Sequence, residues 1–124
     1  MSFKYIIFHW FVHLFLALML VAWLRLELFF SLIVFLSTIA IDFDHLPITL
    51  KEGLKEILKF TKPRRYFFHN LLFLVFFILL TTLPINFSLK LIFLSLVLHL
   101  SWDLFEDVLI LKIGIKHWFI KRDK

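Results

Sequence analysis

Residues 28–47 read LFFSLIVFLSTIAIDFDHLP, an uncharged apolar run followed by a turn with two carboxylates, an imidazole and a proline. An apolar helix over about residues 26–41 would be roughly 24 Å long, whereas the hydrocarbon core of a membrane is about 30 Å thick. Asp42 and Asp44 would then lie below the membrane surface, where an unpaired carboxylate is strongly destabilised or becomes protonated. The stretch therefore predicts a short membrane helix that ends in a buried polar turn.

The composition of the chain is typical of a lipid-embedded protein. Of its 124 residues, 62% are hydrophobic and 18 are Phe, and the mean hydropathy is +0.96. In soluble domains only about half of the residues are apolar. We therefore expect a single domain over residues 1–124, of the all-α membrane class. The absence of cysteine excludes disulfides and thiolate metal sites.

Four apolar segments predict a bundle of four transmembrane helices. Besides the helix at 26–41, they cover about residues 5–24, 63–83 and 87–111, and a membrane crossing needs about 20 apolar residues. Pro63 is an acceptable residue for the first turn of the third helix. The long connection of the chain lies between the second and the third of these helices.

Basic residues are distributed unevenly between the connections. Twelve of the fourteen Lys and Arg residues lie in the N-terminus, the 42–66 connection or the C-terminal tail, and only Arg25 and Lys90 lie in the short connections. By the positive-inside rule, both termini and the long connection are cytoplasmic, in a protein integral to the cytoplasmic membrane. Within that connection, TLKEGLKEILKF at 49–60 predicts a short interfacial amphipathic helix on anionic lipid. This distribution explains the pI near 9.7 without a nucleic-acid partner.

Ionisable side chains occur at similar depths in the predicted helices. His13, His69 and Asp103 would lie roughly 9–15 Å from the cytoplasmic helix ends, and His99 would lie one turn deeper. Such side chains usually face a bundle interior, and helix bundles build metal sites from inward His, Asp and Glu residues. Imidazole and carboxylate donors without sulfur suit zinc, manganese or iron(II), and a divalent cation would neutralise the buried carboxylates. The predicted ligands of one or two ions are His13, Asp42, Asp44, His45, His69, His99 and Asp103.

Three further residues near this layer have other expected roles. Arg65, one turn before His69, is predicted to hold a phosphate group of a substrate. Glu106 is predicted to act in catalysis, either as a general base or by supporting a metal ligand. His9 lies nearer the interface and is not expected to bind the metal. A single buried histidine, or the polar turn after the second helix, is also explained by structural hydrogen bonding, and the agreement in depth is what favours a metal.

These motifs and their order resemble a family of small bacterial and archaeal integral-membrane proteins described as membrane-bound metal-dependent hydrolases. The family has an early His in helix one, a D-x-D-H turn after helix two, an H-R-G-x-T-H segment opening helix three and an H-x-x-x-D in helix four. The corresponding residues here are His13, DFDH at 42–45, RRYFFH at 64–69, and His99 with Asp103. In the third motif only Arg65 and His69 match the family pattern.

The resemblance implies a metal-dependent hydrolase with a cytoplasm-facing site. A divalent metal would lower the pKa of a bound water and polarise the scissile bond. Access from the headgroup region and the cytoplasm favours a phospholipid or another amphiphilic phosphoester as substrate. Two alternatives remain open: a small carrier or channel for protons or divalent ions, and a non-catalytic membrane protein with a degenerate metal site. The nearly unbroken apolar outer halves of the helices disfavour the channel.

Overall fold

The computed structural model describes residues 3–45 and 68–110, with side chains for 8–43 and 68–110. This part of the chain contains helices and no strand, which confirms for these residues the prediction of an all-α protein. The elements are, in chain order, α1 (Phe3–Leu24), α2 (Leu28–Ala40), a 3₁₀ turn (Ile41–His45), α3 (Leu71–Thr82), α4 (Phe87–Phe105) and a π-helical turn (Glu106–Ile110).

Local interactions define several of the helix ends. The short connection between α1 and α2 contains Arg25, which adopts a left-handed backbone conformation with φ of 51°. The side-chain oxygen of Asn70 accepts a hydrogen bond from the Phe73 N–H at 3.1 Å, and that of Asn86 accepts one from the Leu89 N–H at 2.9 Å. Both asparagines are N-caps, which satisfy N–H groups that the first turn of a helix leaves unpaired.

The third helix begins later than its sequence predicts. The apolar pattern predicts a helix from residue 63, but residues 68–70 form a bend and the helix begins at Leu71. The physical reason is the cap, because Asn70 has an extended backbone with φ of −146° and ψ of 160°. The predicted interfacial helix at 49–60 lies outside the described residues, as do both termini of the chain.

Helix α4 is the central element of the fold. It contacts α1, α2 and α3, and α1 also contacts α2. One buried apolar cluster consists of Ala17, Leu20, Val34 and Leu91. A second consists of Ile41, Leu74, Phe77 and Leu100. Because α4 contributes to both clusters, it positions the other helices relative to one another.

One helical stretch among the described residues is long and apolar enough to cross a membrane. It covers Phe87–Ile110, has 24 residues and reaches a mean hydropathy of 1.5. The other apolar helical stretches in the described ranges are shorter: Phe8–Leu24, Leu28–Phe43 and Leu71–Thr82. The described residues therefore contain one candidate membrane helix, and four crossings remain a prediction.

In the described part of the chain, several polar side chains are buried and many large apolar side chains are exposed. The buried polar residues are His13, Ser37, Thr38, Asn70, Ser95, His99, Asp103 and Glu106. Large apolar side chains instead lie exposed on every helix, for example Trp23 at 76%, Leu28 at 77%, Leu72 at 66% and Phe87 at 50%. The interior is thus partly polar, and the outer surface is largely apolar.

Candidate metal centre

Two helices, a turn and a bend bring ionisable side chains to one place. Residues four apart lie on the same helix face, so that each helix delivers a pair. The bend before α3 and the 3₁₀ turn after α2 each supply one more. The converging side chains are His9 and His13 of α1, Asp42 of the 3₁₀ turn, His69 of the bend, and His99 and Asp103 of α4.

Asp103 lies at the centre of these contacts. Its Oδ1 is 3.0 Å from Nε2 of His13 and 3.9 Å from Nε2 of His9. Its Oδ2 is 3.0 Å from Nε2 of His69 and 3.2 Å from Nε2 of His99. The two oxygens of one buried carboxylate therefore face two different pairs of imidazoles.

The ligand-type atoms form two compact groups. In the first, atoms of His9, His13 and Asp103 all lie within 4.8 Å of one another. In the second, atoms of Asp42, His69 and His99 satisfy the same limit. Asp42 Oδ1 is 3.2 Å from His99 Nε2 and 3.7 Å from His69 Nε2.

These separations suit atoms that share a cation. A four-coordinate metal with bonds of about 2.0–2.2 Å holds its ligand atoms about 3.3–3.6 Å apart. The nitrogen–oxygen distances around Asp103 and Asp42 run from 3.0 to 3.9 Å. Small adjustments of the side chains would accommodate an ion in either group.

Hydrogen bonding alone does not account for the contacts at the centre. Nε2 of His99 and both oxygens of Asp103 are buried, and none of the three makes a hydrogen bond of acceptable geometry. They nevertheless lie 3.0–3.2 Å from neighbouring nitrogen or oxygen atoms. A buried polar atom without a directed partner is strongly unfavourable, and a cation between the atoms would satisfy all of them.

Glu106 supports the first group from outside. Its Oε2 lies 2.7 Å from Nδ1 of His9. A carboxylate accepts, so Nδ1–H of His9 donates and the Nε2 lone pair is left to face His13, 3.1 Å away. Carboxylates commonly orient metal-binding histidines in this way. Glu106 opens the π-helical turn, a local structure that occurs frequently at functional sites.

A small cavity adjoins the centre, and none of the carboxylate residues of the centre lines it. Its volume is about 10 Å³, which is enough for one water molecule. Among its lining residues are His13, Thr38, Ser95 and His99. Nδ1 of both histidines is buried without a hydrogen-bond partner. A water molecule in this cavity could accept hydrogen bonds from the two Nδ1–H groups and donate hydrogen bonds to the hydroxyl groups of Thr38 and Ser95.

Five of the seven predicted ligands lie together in the structure: His13, Asp42, His69, His99 and Asp103. The side chains of Asp44 and His45 lie outside the described part of the chain, although their backbone belongs to the 3₁₀ turn. Arg65, the predicted phosphate contact, also lies outside the described residues. Glu106, predicted to be catalytic, contacts an imidazole of the cluster.

The structure places His9 in the cluster, although its position nearer the interface led to the expectation that it does not bind the metal. Its side chain remains 22% exposed, yet its two ring nitrogens contact His13 and Glu106. The sequence signal was its spacing of four residues from His13. The matching signal is the spacing of three residues between Asp103 of α4 and Glu106 of the following turn, which predicts that both carboxylates lie on the same face.

Fold and site together define a class: a helical protein with one candidate membrane helix and buried His/Asp groups that could hold a metal ion. Comparison of the chain with protein-family models, with curated proteins and with solved structures finds no match in any of the three. The function proposed below therefore rests on the geometry of the described residues and on the motifs of the sequence.

Proposed function

We propose that the chain is an integral-membrane, metal-dependent hydrolase that acts on an amphiphilic phosphoester, such as a phospholipid, from the cytoplasmic side. In this proposal the helices cross the membrane as a four-helix bundle. The observation that carries it is the convergence of six His and Asp side chains from separate elements on one buried place. The resemblance of the motifs to those of a hydrolase family supports hydrolysis as the class of reaction.

The distribution of side chains supports the membrane assignment. Soluble monomers rarely expose contiguous apolar patches larger than a few hundred Å². Here Phe11, Leu18, Leu36 and Phe29 are each more than half exposed, while His99 and Asp103 are buried. A lipid environment makes this arrangement favourable, because apolar side chains lose little by facing hydrocarbon.

The donor set supports a borderline or hard divalent cation. Four imidazoles and two carboxylates converge, and the chain contains no cysteine. Such nitrogen and oxygen donors suit zinc, manganese or iron(II). The buried carboxylates further favour a cation, because burying them uncompensated would cost several kcal/mol each.

The residues around the centre suit hydrolysis. A divalent cation held here would lower the pKa of a bound water toward neutrality and polarise a phosphoryl oxygen. His9 and Asp42 are the more exposed members, with side-chain exposures of 22% and 12%, so they mark the side from which water and substrate enter. Glu106 holds His9 through Oε2, and its buried Oε1, which has no hydrogen-bond partner, is the candidate proton acceptor.

The test combines metal analysis with turnover. The protein is purified in detergent, reconstituted into phospholipid nanodiscs, and assayed for metal by mass spectrometry and for hydrolysis of short-chain phosphatidic acid and related phosphoesters. We expect bound transition metal and turnover that His99→Gln abolishes while the helical content is retained. Glu27→Gln, an exposed carboxylate outside the centre, is the matched control and should remain active.

Each other outcome identifies one of the alternatives. Protein that binds metal but hydrolyses no phosphoester would be the non-catalytic membrane protein with a metal site. Metal or proton flux into sealed vesicles that His99→Gln abolishes would make the chain a carrier. Turnover that persists in His99→Gln would contradict the proposed site.

A further inference from the structure

We infer that the centre is dinuclear and that Asp103 bridges its two cations. One ion would be held by His9, His13 and Oδ1 of Asp103, and the other by Asp42, His69, His99 and Oδ2 of Asp103. This inference rests on the proposed metal-binding function and specifies the number and arrangement of its ions.

The contacts of Asp103 divide by oxygen atom. Oδ1 faces the α1 histidines, with His13 Nε2 at 3.0 Å, and Oδ2 faces His69 and His99, with distances of 3.0 and 3.2 Å. A carboxylate that served a single ion would direct one or both oxygens toward the same point. Here each oxygen has its own pair of nitrogen donors, as in a carboxylate that bridges two ions.

The rings of His13 and His99 match the spacing of a two-metal centre. They stack almost parallel, with centroids 3.7 Å apart and an interplanar angle of 15°. Their Nε2 atoms approach different oxygens of Asp103. In two-metal hydrolytic sites the ions lie about 3.5–4 Å apart, so two parallel imidazoles at this spacing can each serve a different ion.

Charge balance also favours two ions. Three carboxylates contact the cluster: Asp42, Asp103 and Glu106. One divalent cation would leave a net negative charge in a buried place, which is unfavourable at low dielectric. Two divalent cations with one bound hydroxide give a neutral assembly. The hydroxide is also the nucleophile that the proposed hydrolysis requires.

Each ion would have its own supporting groups. Glu106 orients His9 on the first side, at 2.7 Å from Nδ1. Asp42 approaches both His69 and His99 on the second side. Because the two sides share only Asp103, removing a ligand from one side should leave the other ion in place.

The experiment loads protein in nanodiscs with Mn²⁺ alone and measures bound Mn²⁺ by mass spectrometry and electron paramagnetic resonance. We expect about two equivalents in the wild type, with the exchange-coupled spectrum of a nearby pair. His9→Gln and His69→Gln should each retain about one equivalent and show an uncoupled spectrum. Glu27→Gln should be indistinguishable from the wild type.

The possible failures are distinguishable. One equivalent in an active wild type would overturn the dinuclear inference and leave the hydrolase proposal standing. Two coupled ions without turnover would support the inference and contradict the hydrolase. Protein that binds no Mn²⁺ or Zn²⁺ would overturn both. Circular dichroism and a monodisperse gel-filtration profile establish that each variant is folded. Because the His9 side chain is partly exposed in the wild type, we expect His9→Gln to destabilise the fold least.

Discussion

The Asp103→Asn substitution distinguishes a metal centre from a set of buried ion pairs. The two hypotheses predict opposite effects of the substitution on the stability of the metal-free protein. If His13, His69 and His99 were protonated partners of Asp103, the substitution would leave imidazolium groups buried without their counter-charge. Breaking a buried ion pair in this way typically costs about 3–5 kcal/mol. If Asp103 is instead a metal ligand beside neutral imidazoles, the chelated protein holds a buried carboxylate without a counter-charge, and the substitution removes that charge.

The expected loss of metal-binding free energy follows from the contribution of each ligand. Structural zinc sites with four ligands contribute about 10–16 kcal/mol, or roughly 3 kcal/mol per ligand. Asparagine keeps one neutral oxygen donor and loses the charge, so we expect binding to weaken by about 2–3 kcal/mol, or about 30- to 150-fold. Metal at 100 times its dissociation constant stabilises the folded state by about 2.7 kcal/mol, and the variant should lose most of that increment.

The assay is thermal unfolding in nanodiscs, followed by the fluorescence of the four tryptophans, with metal and with chelator. We expect chelator to lower the unfolding temperature of the wild type, and the chelated Asp103→Asn protein to be at least as stable as the chelated wild type. The metal reasoning is refuted if chelator has no effect on the wild type while Asp103→Asn is strongly destabilised under both conditions.

Three further predictions concern the support, the protonation and the orientation of the centre. Glu106→Gln should weaken metal binding about 10- to 100-fold by releasing His9, measured by competition with a chromophoric chelator, whereas an unchanged affinity would show that Glu106 does not support the ligand. Metal affinity should fall as the pH is lowered from about 7 to about 5, because four imidazoles must be neutral to bind, and a pH-independent affinity would exclude them as ligands. Since the chain lacks cysteine, single-cysteine variants report orientation: Glu27→Cys should react with impermeant maleimide only from outside the cell and Lys124→Cys only from inside, and the reverse pattern would contradict the predicted topology.

The helices and much of the cluster could be predicted from the sequence because both depend on spacing along the chain. Long apolar runs predict helices, and four-residue spacing places His99 above Asp103 on one face. Counting residues from the helix ends predicts that His13 of α1 and Asp103 of α4 lie at the same depth. In the structure these two side chains are in contact. Spacing within a helix is enough for predictions of this kind.

The remaining features depend on tertiary geometry. The depth expected for His69 rests on a helix from residue 63, yet His69 lies in the bend before the Asn70 cap, with its Nε2 3.0 Å from Asp103. From its depth His9 is not expected to bind the metal, whereas its contact with Glu106 depends on how α1 lies relative to the π-helical turn. The division of contacts between the two oxygens of Asp103 depends on a side-chain torsion, which no sequence pattern encodes.

X-ray absorption at the metal edge of Mn²⁺- or Zn²⁺-loaded protein tests the shared centre most directly, because it reports the atoms bound to the ion. The proposed dinuclear centre predicts nitrogen and oxygen neighbours at about 2.0–2.2 Å, the multiple scattering of imidazole rings and a second metal about 3.5–4 Å away. Ions surrounded by water oxygens alone, with no imidazole signal, would contradict the claim that these side chains meet around shared cations.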